Sequence, residues 1–451
     1  MPKVRHLSLA AAIHIALTTG IFLIGHFQLL PGTFDQNGTG LTFAIDGTSY
    51  KQVATLLVEE WQANGFLAWL QAQAPLHSHL YSLSFALFGR FLGHNILAAE
   101  PLNLFYYLGI LVCIYVLGRE IFDTGTGLLA ASIVAVWPSF LFHSTQLIRD
   151  SLAILCFLAL MIVFTFLLSR DFTLRKAVVT GLAGAMLVTL FWVVRGNMWN
   201  VVLVAILITV AMLMYRMVRA KQFMTGNAFV MLLIIAAALL VPTRLESTTL
   251  PGVRPPTTPL AIPSASQPLP SEGIWTRAIK QITNRRAGFR SYRSQGSNID
   301  SNVRFTSAAD ILRYVPRAAV IGFFAPFPNM WVQPGSYGLA GRLLSGMETL
   351  AMYFLYCACG FCLWQERRNL KVWLLFLVAA AGILALGLVV VNAGALYRLR
   401  YVFWMLLIVI AAGGIRHFTV LRTKSTKSRM SSSVVSNDAI SRTSEIASSQ
   451  T

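Results

Sequence analysis

The sequence predicts an all-α integral membrane protein, with about ten transmembrane helices and interfacial helices in two long outer loops. Three observations carry that prediction. Hydrophobic residues make up 56% of the 451-residue chain and charged residues only 12%, about half the usual share in a soluble domain. Mean hydropathy is +0.65. The apolar residues also fall in runs close to the length of about 20 residues that a helix needs to cross a bilayer core. So few charges cannot cover a water-facing surface, which excludes a soluble enzyme.

Ten runs are long enough, or nearly so: 7–30, 101–118, 126–143, 151–168, 177–194, 200–216, 227–242, 339–364, 372–391 and 402–420. The first is longer than a signal-peptide core and no small-residue cleavage site follows it, so it reads as a retained helix. Orientation follows from the basic residues in short connections. Lys3, Arg5, Arg119, Arg170, Arg175, Lys176, Arg216, Arg219, Lys221, Arg367, Arg368, Lys371 and the cluster Arg416–Arg429 all fall on one side if both termini are cytoplasmic. The opposite short connections carry only Arg149, Arg195, Arg398 and Arg400.

The chain divides accordingly. Residues 1–242 form an N-terminal transmembrane module that includes a first outer loop, 31–100. Residues 243–338 form a long basic outer loop, 339–420 the C-terminal transmembrane helices, and 421–451 a polar, Ser-rich cytoplasmic tail expected to be disordered. In the first loop, AIDGTSYKQVATLLVEEWQANGFLAWL has mixed polarity at helical spacing, and HLYSLSFALFGRFLG is apolar but short for a crossing. Both suit helices lying in the interface plane. The second loop opens with a Pro-, Ser- and Thr-rich irregular stretch. A densely basic segment follows, then an amphipathic helix ended by Pro326 and Pro328.

Net charge is +19, yet there is no compact basic domain. That balance argues for membrane orientation, lipid contact and an anionic ligand, and against nucleic acid. The five cysteines, Cys113, Cys156, Cys357, Cys359 and Cys362, sit inside apolar runs and read as small hydrophobic filler. His77 and His79 diverge on a helix and lack an evident third ligand. No metal site is therefore assigned, and no cofactor is required.

Only 17 residues are acidic, so those near the outer face are informative. Asp46 follows the first span and Asp150 precedes the fourth, at the same outer surface. Either could act as general base on a hydroxyl, or be solvated or paired with Arg149. The outer loop offers Arg285, Arg286, Arg290, Arg293, Arg304, Arg313 and Arg317. A preference for Arg over Lys suits phosphate recognition, and contact with lipid headgroups is the plainer alternative. The run 323–328, FFAPFP, suits a lipid-tail groove or an interfacial anchor. Arg398 and Arg400, two apart, cannot share one helix face. Arg195 is a further outer-face cation, which could simply snorkel.

The order of these features resembles the GT-C class of polytopic glycosyltransferases, which use a lipid-phosphate-linked sugar as donor. The class includes protein O-mannosyltransferases, lipid A aminoarabinose transferases and the RgtA/B/C/D-like proteins. The resemblance rests on Asp46 and Tyr50 in the first outer loop and on the span 102–122, which ends in a basic turn. It rests further on Trp137-Pro138, His143-Ser144 and Asp150, and on the basic aromatic turn Tyr397–Tyr401. It is clearest over 1–170 and 392–415. Many members carry two adjacent acids in the first loop, and here the second position is Gly47.

The resemblance implies transfer of a sugar from a polyprenyl-phosphate donor to a hydroxyl of a glycan, glycolipid or protein on the outer face. It implies direct displacement with inversion, in the inner (plasma) membrane of a bacterium. Asp46 would be the base, Asp150 an orienting carboxylate, and Arg285, Arg286, Arg290, Arg293 and Arg400 the phosphate-binding cations. Tyr50 and Arg195 would position substrate. Two other readings fit the same span count: an O-antigen-type oligosaccharide polymerase or ligase, and a non-enzymatic lipid-linked-sugar flippase or transporter. The second is disfavoured because the spans hold few polar residues, with His14 and Gln146 placed near ends rather than centres.

Overall fold

A computed structural model describes residues 4–30, 37–41, 45–245, 274–291, 298–332 and 338–419. The expected irregular stretch of the second loop, Arg293 and the tail 421–451 lie outside the described residues. The described chain is all-α, with one isolated bridge between Asn298 and Asn392. In order it forms α1 (Val4–His26), α2 (Ile45–Asn64), α3 (Phe66–Gln71), α4 (Leu76–Leu92), α5 (Ile96–Ile121), α6 (Thr124–Ala135), α7 (Pro138–Ser144) and α8 (Asp150–Ser169). There follow α9 (Leu174–Arg195), α10 (Trp199–Ala220), α11 (Thr225–Arg244), α12 (Ile274–Ser291), α13 (Ala308–Phe324), α14 (Gly338–Gln365), α15 (Leu370–Val389) and α16 (Ala393–Leu399). The last is α17 (Tyr401–Thr419).

The chain is a multi-pass membrane protein. Eight helical segments of the described residues are long and apolar enough to cross a bilayer, or nine if α6 and α7 form one bent crossing. The bend of 70° falls at the break before Pro138, whose ring fits the first turn of a new helix but not the interior of an old one. The expectation of ten counts α6 and α7 as one span and Leu174–Ala220 as two. Leu174–Ala220 is a single helical stretch of 47 residues, made of two helices of 22 residues each around the 3-10 turn Gly196–Met198. At 1.5 Å per residue it would measure on the order of 70 Å if straight, twice what one crossing needs.

The basic turns gather at one end of the bundle. Arg170 pairs with Glu120 at 2.6 Å and Arg216 with Asp171 at 2.7 Å. Lys371 reaches the Glu120 carbonyl at 2.7 Å, Arg416 meets Asp123 at 3.3 Å, and His417 meets Glu366 at 3.1 Å. The ends of α5, α8, α14 and α17 and the start of α15 therefore share one surface.

The opposite end has its own small core. Ile21 of α1, Ala54 and Val58 of α2, Tyr81 and Phe85 of α4, Ile96 and Ala99 of α5, and Leu147 bury one another there. The larger core runs through α5, α8 to α11, α15 and α17. α13 crosses α15 in backbone contact. A Cβ on Gly322 would lie 2.5 Å from the Ile383 carbonyl oxygen, and one on Gly387 would lie 2.0 Å from that of Ala318. Only glycine permits that approach.

One expectation about the spans is corrected. His14 is not near a helix end: it lies in the middle of α1. Its ring sits 2.7 Å from the Glu100 carboxylate and 3.0 Å from the Ser144 hydroxyl, while Thr18 donates to Glu100 at 2.7 Å. These buried groups satisfy one another, which is the condition for polar groups inside a membrane bundle. No sequence period marked the pairing, because the partners lie 86 and 130 residues away from His14.

Candidate active site

Four charged side chains from four separate parts of the chain meet opposite the basic turns. Asp150 opens α8 and is held by Arg195, the last residue of α9. Arg398, in the last turn of α16, donates to Asp46 at 2.8 Å and places Nε 3.0 Å from Asp150. Asp46 lies in the first turn of α2. Both carboxylates thus stand at helix N-termini and both paired arginines at C-termini, so each charge opposes the favourable pole of its helix dipole.

Local sequence explains each placement. The segment 145–149, which delivers Arg149 and Asp150, is tied down by buried polar groups. Asn103 donates to the Thr145 carbonyl at 2.9 Å, Tyr81 to that of Ile148 at 3.2 Å, and the Gln146 side chain to that of Gly40 at 3.2 Å. α16 is started by Asn392, whose side chain accepts the Ala395 N–H at 2.9 Å. After seven helical residues the helix breaks at Arg400 and the chain restarts as α17. That short helix is what aims Arg398 at the acids.

The two carboxylates differ in setting. The Asp150 side chain is 7% exposed and contacts two arginines, whereas that of Asp46 is 49% exposed. Asp150 serves as the fixed anchor, and Asp46 keeps a face to solvent. The arginine they share is held protonated. Asp150 foremost, against the opposing effect of burial, and then Asp46 raise the Arg398 pKa. A narrow cavity of about 20 Å³, room for roughly one water, touches Asp150, Arg195 and Arg398 and is otherwise walled by residues such as Phe157, Phe191 and Phe403.

Tyr50 lies one and a half turns along α2 from Ile45 and is buried. Burial raises its pKa, with Arg149, Asp46, Asp150 and Arg398 all close enough to act on it. It therefore belongs to the same cluster. Gly47, where many relatives of the resembled class carry a second acid, is buried as well. A Cβ there would sit 3.5 Å from the Leu147 carbonyl oxygen, so a carboxylate at this position would face an acceptor.

The remaining sequence candidates lie elsewhere. Arg286 is 2% exposed and donates to the carbonyls of Leu388, Asp300 and Val303 at 2.8, 2.8 and 3.3 Å. It also lies over the rings of Phe305 and Tyr314. Its planar fork clasps α12, the segment after Asn298, α13 and the end of α15 together, which leaves little for a ligand. Arg285 is half-buried, and burial lowers its pKa. Neither these two nor Arg290 forms an ion pair with Asp46 or Asp150 among the described residues.

Arg400, the expected inward-facing partner, is 0% exposed. It donates to the Gly322 carbonyl at 3.0 Å and stacks 4.0 Å from the Trp404 ring centroid. The two-residue spacing did separate the pair, and Arg398 is the one on the acidic side. Arg398 and Arg149 were legible only as basic residues on the right surface. Which of Arg398 and Arg400 faced an acid depended on where Asn392 started α16. Among the described residues no group of three His, Cys, Asp or Glu side chains is placed to hold a metal ion.

No protein-family model matches the chain, and no curated protein matches it. Among solved structures the chain is similar to the archaeal oligosaccharyltransferase AglB from Archaeoglobus fulgidus in complex with an inhibitory peptide and a dolichol-phosphate. The TM-score is 0.45 at 12% identity, covering 95% of this chain and 52% of that one. It is also similar to the Archaeoglobus fulgidus oligosaccharyltransferase in the apo form, with TM-score 0.44 and 13% identity over 95% and 52% of the two chains. The chain spans about half the length of these structures.

Proposed function

We propose that this protein is a membrane glycosyltransferase that moves a sugar from a polyprenyl-phosphate-linked donor to an acceptor hydroxyl at the outer face of a bacterial inner membrane, with both termini in the cytoplasm. The observation that carries the proposal is the half-exposed Asp46 held by Arg398 beside the buried Asp150–Arg195 pair. The positive-inside pattern of the turns at the other end of the bundle supports the orientation.

In this reading the Asp46 carboxylate removes the proton of the acceptor hydroxyl. The acceptor oxygen attacks the anomeric carbon as the bond from that carbon to the phosphate oxygen breaks. The phosphate leaves with the bonding electrons, and a single displacement inverts the anomeric configuration. Arg398, Arg195 and Arg149 outnumber Asp46 and Asp150 by one charge, which favours a phosphate as its negative charge grows. Asp150 holds Arg195 and Arg398 in place and does not itself take the proton. The chemistry needs no further group, since phosphate is a competent leaving group once its charge is neutralised.

The test uses the full chain in lipid nanodiscs with polyprenyl phosphates carrying radiolabelled hexose or pentose, and a mixture of glycan, glycolipid and peptide acceptors. Label should move from lipid to acceptor. Asp46→Asn should lower the rate by about 10²-fold or more, the usual worth of a positioned base. Unchanged transfer by Asp46→Asn, or no transfer from any such lipid, would overturn the proposal.

A further inference from the structure

Beside the charged cluster lies a histidine that the proposed chemistry does not use. His77, in the first turn of α4, is 2% exposed, and neither of its ring nitrogens has a hydrogen-bond partner. The neighbouring Ser78 hydroxyl is also buried without a partner. Three other buried or half-buried histidines are engaged: His79 with the Ala72 carbonyl at 3.1 Å, His14 with Glu100, and His143 with the Ser139 carbonyl at 2.6 Å.

A buried polar atom left unpaired costs about 1–3 kcal/mol. Two on one ring make His77 a poorer core residue than a leucine of similar bulk. Such an exception calls for a ligand group.

Its surroundings say which kind. The ring of Tyr50 meets His77 edge-on at 4.4 Å, and the Tyr50 hydroxyl in turn feels Asp46, Asp150, Arg149 and Arg398. His77 therefore stands one aromatic ring away from the proposed reaction centre. Burial foremost, then Arg149, lowers its pKa to about 3, so the imidazole stays neutral. A neutral imidazole offers one N–H donor and one acceptor nitrogen on opposite edges, the pairing that a hydroxyl satisfies and a phosphate does not. Arg149 next to it donates no hydrogen bond among the described residues and carries the charge that a phosphate would meet.

Resting on the proposed transferase reading, we infer that His77 is the residue that recognises hydroxyl groups of the donor sugar, with Arg149 beside it for the phosphate. Tyr50 packs edge-on against His77, and its ring swings aside as the sugar enters. His77 contributes recognition and takes no part in bond breaking.

The experiment compares two probes on the full chain in nanodiscs: bare polyprenyl phosphate, and polyprenyl phosphate carrying glucose, mannose or arabinose. In the wild type the sugar should add affinity. His77→Leu should weaken binding of at least one sugar-bearing lipid by roughly tenfold, the loss of one or two hydrogen bonds. Bare polyprenyl phosphate should bind within about twofold of wild type, and His77→Gln should recover most of the loss. Should the leucine variant fail to fold, His77→Phe, which keeps a ring against Tyr50 but no hydrogen-bonding atom, is titrated with mono-deoxy sugars, and it must lose discrimination at one hydroxyl position. Equal affinity of wild type and His77→Leu for every sugar-bearing lipid, or undiminished discrimination by His77→Phe in the deoxy series, would overturn the role of His77 and leave the transferase reading standing. Absence of binding by both probes would overturn both together.

Discussion

The guanidinium of Arg398 lies 2.8 Å from the carboxylate of Asp46, although 352 residues separate them in the chain. The same side chain touches Asp150 at 3.0 Å. One residue on a seven-residue helix therefore ties the start of α2, the start of α8 and the entry to the last helix into a single electrostatic unit. Pairs at the rim of a protein contribute little, whereas buried ones cannot lose a partner cheaply.

Asp150→Ala strands two arginines, one of them buried, and should lower stability by about 3–5 kcal/mol. Asp46→Ala, at a half-exposed position, should cost about 0–1 kcal/mol. Thermal melting of the purified protein in one detergent measures both. Equal melting temperatures would show that Asp150 is not the anchor of the site.

Arg398→Lys keeps the charge but gives up the planar fork that reaches two carboxylates at once. Loss of one charge-assisted hydrogen bond, about 1.5–3 kcal/mol, corresponds to roughly a 10- to 100-fold slower transfer. Initial rates with labelled donor are the readout. A lysine variant with the wild-type rate would remove Arg398 from the mechanism.

Arg286→Met should act on the fold and not on the donor. Three carbonyls lose their donor, and α12 together with the segment 298–332 should loosen from the end of α15, at a cost of about 3 kcal/mol. Limited proteolysis of that segment should speed up, while the affinity of the folded fraction for polyprenyl phosphate stays unchanged. A selective loss of lipid affinity with normal proteolysis would instead assign Arg286 to the donor.

His77 gives a pH signature. Its pKa is lowered to about 3 in the fold, against an ordinary value of about 6.5 in the unfolded chain. Between these values the unfolded state binds the proton and the folded state does not, so stability rises with pH. The contribution is complete above about pH 6.5, falls by about 2 kcal/mol at pH 5, and stops changing below about pH 3. Subtracting the pH–stability curve of His77→Gln from that of wild type isolates it. A flat difference curve would show that His77 titrates normally.

The sequence was informative wherever solvent alone decides. Apolar runs specified helices because lipid leaves backbone groups no other partner. The basic turns fell on one surface because charge resists translocation. The proline at position 138 lies at the 70° break between α6 and α7 inside the run 126–143, which hydropathy alone read as one span. The acids Asp46 and Asp150 could be picked out because carboxylates near a membrane face are scarce.

What remained hidden depends on distances between segments far apart in sequence. Arg398 and not Arg400 meets the acids because Asn392 sets where α16 begins, and a shift of two residues turns a side chain by roughly 200°. Arg286 looked like a phosphate ligand until the carbonyls of Val303, Asp300 and Leu388 closed around it. His14 was read as lying near a span end until α1 packed against α5 and set its ring beside Glu100. Hydropathy and charge bias act on each segment separately, and so one sequence suffices to determine the spans. A binding site exists only when several segments arrive together, and tertiary packing alone decided which of many arginines stands beside which acid.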